Sequence, residues 1–224
     1  MNAHRFKLVV FDFDGTLVDS QANIHSCMAQ AFVTNALPAP TIEQVRRIVG
    51  LKLEYAVAEI LQQDGDWDLA CAISDSYRQA FLKARELPDF HEPVFAGVHE
   101  MLQRLSGTEA LLAVATGKNL RGLQKSLAHH QFEDYFVTLK TADDGPSKPH
   151  PEILLQAMNE NGVDPADTVM IGDTTYDIEM ARAAGAAAIG VSWGYHHQDE
   201  LLKAGAHCIV QSCDDLPAAF TDLL

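Results

Sequence analysis

Cysteine is scarce in this chain of 224 residues: there are four, Cys27, Cys71, Cys208 and Cys213, and no two form a Cys-x-x-Cys pair. That excludes a disulfide framework or a zinc ribbon as the organising element, and buried reduced thiols are expected. Positive charge is also short, since 16 Lys and Arg against 31 Asp and Glu leave a formal charge of −15. Such a surface repels the phosphates of DNA and RNA, so no nucleic-acid polymer partner is expected. No apolar run approaches the roughly 20 residues a membrane helix needs, and the longest early one, Leu8 to Phe11, stops at Asp12, so no membrane partner is expected either. The residues from Met1 to Lys7 lead into that run without an apolar h-region or a small-residue cleavage site, which makes the cytoplasm the expected compartment. Internal repeats and low-complexity tracts are missing as well. What remains, 47% hydrophobic and 21% charged, suits one globular domain with a large insertion or two small domains.

Against that background the first positive signal is Lys7-Leu8-Val9-Val10-Phe11, a short apolar run that reads as a strand buried on both faces. From about Gln21 to Glu86 apolar residues recur instead at helical spacing, as in Ile24, Cys27, Met28, Ala31 and Phe32. Pro38 and Pro40 interrupt this stretch. Thr41 with Gln44 then forms a capping box for a second helix, which Gly50 closes. Leu53, Val57, Ile60 and Leu61 mark a third helix, Asp64-Gly65-Asp66 a turn, and Leu69, Ile73, Tyr77, Ala80 and Phe81 a fourth. After a linker from Leu87 to Val94 the pattern becomes alternating helix and strand. The clearest strands are Leu111 to Ala115, Thr168 to Ile171 and Ala187 to Val191; weaker ones are Phe136 to Thr138 and His207 to Val210. The expected fold is α/β: a doubly wound, Rossmann-like parallel-sheet core from residues 1–17 and 95–224, with an inserted helical-bundle cap of four helices over 18–94.

In such a sheet the ligand crevice lies beyond the carboxyl ends of the strands. The first strand delivers Asp12 and Asp14, two positions apart and facing the same way if the extended chain continues. The second delivers Thr116-Gly117-Lys118-Asn119, the fourth Gly172-Asp173 with Asp177 beyond, and a loop supplies Ser147-Lys148-Pro149. Were Asp12, Asp14 and Asp173 to converge to about 5 Å, each like-charge pair would cost on the order of 3 kcal/mol at an effective dielectric near 20. A cation must therefore sit among them, and oxygen ligands with room for water and phosphate suit Mg²⁺. Lys148 and the amide at Gly117, read as the start of a helix, add positive potential, so the set points to a phosphate dianion. An EF-hand is excluded, because with Gly15 at loop position six, Val10 and Gln21 occupy positions one and twelve. A Walker loop is excluded because Leu112 and Asn119 stand where glycine and Ser or Thr are required. The pairs His129-His130 and His196-His197 read as surface or loop residues, and Trp193-Gly194-Tyr195 as a packed loop.

The sequence Asp12-Phe13-Asp14-Gly15-Thr16-Leu17, then Thr116, Lys148, and Gly172-Asp173 followed by Asp177, resembles the four ordered motifs of the haloacid dehalogenase superfamily of phosphohydrolases over residues 8 to about 191. Val18-Asp19-Ser20 and Lys148-Pro149-His150-Pro151 look most like its phosphoglycolate phosphatase branch. The resemblance implies Asp12 as nucleophile and Asp14 as acid and base. It implies Mg²⁺ held by the Asp12 carboxylate, the Asp14 backbone carbonyl and Asp173, supported by Asp177. It further implies Lys148, Thr116 and Gly117 on the phosphate oxygens, with Gly15 allowing close backbone approach. Lys118 either reaches the phosphate edge or points into water. Gly50, Leu51 and Lys52 are the expected cap readers of a small phosphorylated metabolite, with Lys52 and Arg47 as candidate partners of a substrate carboxylate. Phosphomonoester hydrolysis is the first expectation; a phosphomutase on a sugar phosphate and a non-catalytic phospho-acceptor module are the alternatives. Monomer and homodimer are both compatible with the sequence.

Overall fold

The computed structural model describes residues 6–62 and 66–223. The opening residues as far as Arg5, and Asp64 and Gly65 of the expected turn, lie outside the described residues. Six strands, β1 (Leu8–Phe11), β2 (Leu111–Ala115), β3 (Thr138–Lys140), β4 (Thr168–Gly172), β5 (Ala187–Val191) and β6 (Cys208–Val210), form one sheet in the order β3-β2-β1-β4-β5-β6. Every neighbouring pair is parallel. The strand order reverses at β1, and the crevice beyond β1 and β4 is where an open α/β sheet binds ligands.

Strand β1 shows why the sheet is covered on both faces. Val9 and Phe11 belong to one apolar cluster, and Leu8 and Val10 to another on the opposite side. The first cluster is completed by α5 (Val98–Ser106), α6 (Leu120–His130) and α10 (Leu216–Asp222), and the second by α7 (Glu152–Asn161), α8 (Thr175–Ala183) and α9 (Gln198–Ala204). All four β1 side chains are fully buried, each contributing about 1.5–3 kcal/mol.

Between β1 and α5 lie α1 (Gln21–Thr34), α2 (Ile42–Ile48), α3 (Leu53–Leu61) and α4 (Trp67–Ala84), which pack into a third, separate apolar cluster. The Thr41–Gln44 capping box forms, and Gly50, with φ +100°, follows the last residues of α2 in the left-handed conformation that favours glycine. Asp66 caps α4 by accepting from the Leu69 N–H. The insertion joins the sheet through two antiparallel segments: Asp19 N–H donates to Pro93 O (2.8 Å) and Phe95 N–H to Leu17 O (3.1 Å).

Strand β3 begins two residues later than the sequence pattern indicates. Val137 is 59% exposed at the sheet edge, and Glu133–Tyr135 form a short 3-10 turn, so the apolar run there is only partly a buried strand. Of the cysteines, Cys27 and Cys213 are buried, Cys71 and Cys208 half-buried, and all four are free.

Candidate active site

Beyond the carboxyl end of β1, the chain bends at Phe13, which drops into the core and is fully buried. The bend redirects the next carboxylate. Oxygen atoms of Asp12, Asp173 and Asp177 lie within 4.8 Å of one another. Asp14, expected in that cluster, instead receives the Lys118 ammonium on both oxygens (2.8 and 2.9 Å) and the Ser20 hydroxyl on one of them. Asp12 and Asp14 still line the same cavity, but the extended conformation ends between them and Asp14 stands outside the three-acid cluster.

Asp12 Oδ1 accepts from the Phe13 N–H (2.7 Å) and lies 3.1 Å from Lys148 Nζ, whereas Asp12 Oδ2 is buried with no hydrogen-bond partner. Burial first, and then Asp177, push the Asp12 carboxyl up to about 7 against the pull of Lys148 and the Phe13 N–H. Asp173 is likewise pushed well above the usual carboxylate range, by burial and then by Asp12 and Asp177; the Tyr195 N–H (2.9 Å) and the Thr16 hydroxyl (2.9 Å) oppose this. Burial would lower the Lys148 ammonium, but Asp12 and Asp177 outweigh it and hold it above its ordinary value. One lysine cannot compensate three buried carboxylates. The orphaned Asp12 oxygen beside the raised Asp173 carboxyl suits a hard divalent cation.

Asp177 has a different role from the other two acids. Its Oδ1 receives Lys148 (2.6 Å), and its Oδ2 receives the Thr174 hydroxyl (2.7 Å) and N–H (3.1 Å) in a capping box that starts α8. Asp173 also has a donor on each oxygen, Thr16 and Tyr195, so what sets Asp177 apart is its pairing with Lys148: it fixes that lysine and lends charge to the cluster. Glycines let these groups meet: a Cβ on Gly15 (φ +89°) would lie 2.3 Å from Asp173 Oδ2, and one on Gly194 would lie 2.0 Å from Asp173 Cβ. Gly15 thus admits the Asp173 carboxylate.

Thr116 and Gly117 line a cavity of about 100 Å³ together with Asp12, Asp14 and Lys118, under Gly50 and Leu51. Gly117 precedes the helix instead of starting it, because α6 begins at Leu120 under the Asn119 cap. A Cβ there would meet Gly50 O at 2.4 Å and Leu51 O at 2.6 Å, so the α2–α3 loop rests directly on this segment. Replacing Gly117 by Ala is expected to hold that loop off the site, raising KM several-fold and lowering thermal stability, because the atoms it meets are backbone; steady-state kinetics and a melt check both. Lys52 does not line the cavity: its backbone N–H donates to Ser147 Oγ (2.9 Å). Arg47 lines a separate outer cleft, and its carbonyl accepts from Tyr176 OH (2.9 Å).

Lys118 points neither at water nor away from the acids. It is clamped on Asp14 with its ammonium over the rings of Phe13 (5.7 Å) and Phe81 (5.5 Å). Behind it, 3.9 Å away, lies Glu92, a 1%-exposed carboxylate in the segment returning from the insertion. Sequence reading missed Glu92, because a lone Glu in a Pro-containing linker carries no periodic signal. Ser126 donates to it (2.9 Å), Arg85 lies at 3.6 Å, and His130 at 3.5 Å, too long for a hydrogen bond. Burial alone would raise the Glu92 carboxyl, but His130, Lys118, Arg85 and Ser126 hold it down at about 2. Its folded value is below the unfolded one, so its stabilisation is present above about pH 4.5 and lost as pH falls toward about 2. Wild type is expected to be more stable than Glu92→Gln at neutral pH by a margin that shrinks on acidification; denaturant titrations across that range measure it.

His130 therefore sits against a buried acid, and His196 accepts from the Thr175 N–H through Nδ1 (3.1 Å); only His129 and His197 of the four are exposed. The packed loop at Trp193 also contributes to the site. Besides the Tyr195 N–H on Asp173, Tyr195 OH accepts from the Ser20 N–H (3.0 Å) and bonds Asp19. Backbone donors of this kind have no sequence signature.

The haloacid dehalogenase-like hydrolase family matches residues 9–191 of this chain. The chain belongs to that family. It is similar to the Dickeya dadantii protein named "Probable phosphatase IndB", with 39% identity over 97% of this chain and 94% of that one. It is also similar to a phosphoglycolate phosphatase of Vibrio vulnificus, with 30% identity over 96% of both. Among solved structures, a predicted phosphatase from Clostridium acetobutylicum superposes with a TM-score of 0.86 and 27% identity, over 99% of this chain and 100% of that one. As a haloacid dehalogenase-like hydrolase, the protein is an enzyme, a phosphatase. Among the described residues no helix is long and apolar enough to cross a membrane.

Proposed function

We propose that the protein is a Mg²⁺-dependent phosphomonoesterase acting on a small metabolite through an aspartyl-phosphate on Asp12. The observation that carries this reading is Asp12 itself: it lines the cavity at the end of β1, with one oxygen fixed by Phe13 and Lys148 and the other unpartnered. In this reading a carboxylate oxygen of Asp12 attacks phosphorus, a P–O bond forms, and the ester P–O bond breaks. Asp14, positioned by Lys118 and Ser20, must take up a proton from solvent before this step, and it passes that proton to the leaving oxygen. It then takes one from the water that releases inorganic phosphate and frees Asp12. Lys148, the Thr116 hydroxyl and the Gly117 N–H bind the phosphoryl oxygens as charge spreads over them.

Mg²⁺ fits the Asp12 and Asp173 carboxylates, with the Asp14 backbone carbonyl as the family resemblance implies, and when bound supplies the positive charge that offsets both the acids and the phosphate. The helices α1–α4 act as the cap, since their α2–α3 loop closes over Gly117. The names of relatives make phosphoglycolate the first metabolite to assay. Phosphate release from a panel of phosphomonoesters is expected in Mg²⁺, to cease on chelation and to return when the ion is restored. Chelator-resistant hydrolysis, or an isomerised sugar phosphate as sole product, would count against this reading.

A further inference from the structure

Resting on the phosphatase reading, we infer that the cavity is built for an uncharged, largely apolar leaving group and discriminates against a carboxylate such as that of phosphoglycolate. The floor of the cavity is polar, from Asp12 to Asn119. Its ceiling, contributed by the four inserted helices and their loops, includes Ile24, Met28, Ile48, Val49, Leu51 and Leu53. Tyr77 is the single polar side chain among the ceiling residues, and its hydroxyl has no hydrogen-bond partner among the described residues. Burial, with Cys27, Asp14 and Glu92 adding to it, pushes that phenol well above its ordinary value, so it stays neutral. A protonated phenol can hydrogen-bond a hydroxyl or carbonyl oxygen; it supplies no charge for an anion.

No Lys or Arg of the insertion lines the cavity, although Arg78 and Arg85 line an adjoining pocket that shares Tyr77, Lys118 and Asn119 with it. Arg46 donates to Gln21 on the exposed surface (2.6 Å), and Arg47 lines the outer cleft. Lys52 does not line the cavity, Arg78 pairs with Glu54 and Asp75, Lys83 is exposed, and Arg85 faces Glu92. The floor's Lys118 already faces two carboxylates, Asp14 on both its oxygens and Glu92 behind. A third carboxylate would have to share that one ammonium while losing its own hydration against aliphatic side chains. A neutral alkyl or aryl group loses nothing there and gains apolar burial.

A pair of substrates of equal size isolates the charge: phosphoglycolate and its amide, in which the carboxylate is replaced by a carboxamide. n-Propyl phosphate and p-nitrophenyl phosphate complete the set, all assayed on the full-length Mg²⁺-loaded enzyme. The better of the amide and n-propyl phosphate is expected to exceed phosphoglycolate in kcat/KM by at least about tenfold. A smaller margin, or phosphoglycolate as the better substrate, overturns the inference while hydrolysis of any ester leaves the phosphatase reading standing. If none of the four esters, p-nitrophenyl phosphate included, releases phosphate, the phosphatase reading falls and this inference falls with it.

Discussion

Asp12→Asn is expected to lower kcat by at least about four orders of magnitude and to leave the metal-free protein as stable as wild type near pH 4, with a stability advantage that grows as pH rises to about 7 and is constant above it. The two halves have one cause. Asp12 is buried beside two other acids, with one oxygen unpartnered, and carries its negative charge only because Lys148 and the Phe13 N–H partly compensate it. Above its raised value the wild type holds an extra buried charge that the unfolded chain keeps in water, and this destabilises the fold. The amide removes that charge, and its oxygen can still accept from Phe13. Lys148 retains Asp177 at 2.6 Å. What the amide cannot do is attack phosphorus. Single-turnover phosphate release and denaturant titration in chelator test both halves; activity within about tenfold of wild type in a preparation free of wild-type enzyme would remove Asp12 as nucleophile.

Lys148→Met carries the opposite balance. The Lys148 side chain is fully buried with Asp12 and Asp177 as partners, so its removal leaves two carboxylates facing each other without a counter-charge. Breaking a buried pair on one side costs about 3–5 kcal/mol, and loss of a phosphate-binding donor costs about two to three orders of magnitude in kcat. Stability and activity are both expected to drop by those amounts, and Mg²⁺ is expected to recover part of the stability because it neutralises the same acids. Melts with and without Mg²⁺ separate the contributions. An unaltered melting temperature in chelator would show that the acids do not depend on this lysine. Together the two variants separate stability, kept or raised in one and lowered in the other, from turnover, which both cut by orders of magnitude, a pattern that loss of packing does not produce.

The positions where sequence reading succeeded and where it failed differ in physical kind. Strands β2 and β5 have the bounds their apolar runs indicate, because both are covered by helices and almost every residue in them is buried. The capping box at Thr41 and Gln44 is equally legible, being a contact between residues three apart. Strand β3 lies at the edge, where the pattern thins and the boundary shifts. In the site, Asp12, Thr116 and Asp173 were legible because each follows a buried strand and must emerge at the same end of a parallel sheet. The direction of Asp14 was not, since one bend at Phe13 decides it. Nor could sequence separation show that Glu92, in the arm returning from the insertion, and Lys118, 26 positions later beyond β2, back one another behind the cavity.

The amino-acid order by itself determined the parallel sheet, the helical insertion, the excess of acid and the end of the sheet at which its functional groups gather. These follow from local periodicity and from the polarity of a parallel strand, which need no knowledge of distant contacts. Only the tertiary structure decided which three acids meet, that Asp177 serves Lys148, that Lys118 is committed to Asp14, and that an aliphatic ceiling closes over the floor. Those outcomes depend on angles between elements and on the competition of several charges for one buried cation, and neither is written in the spacing of residues along the chain.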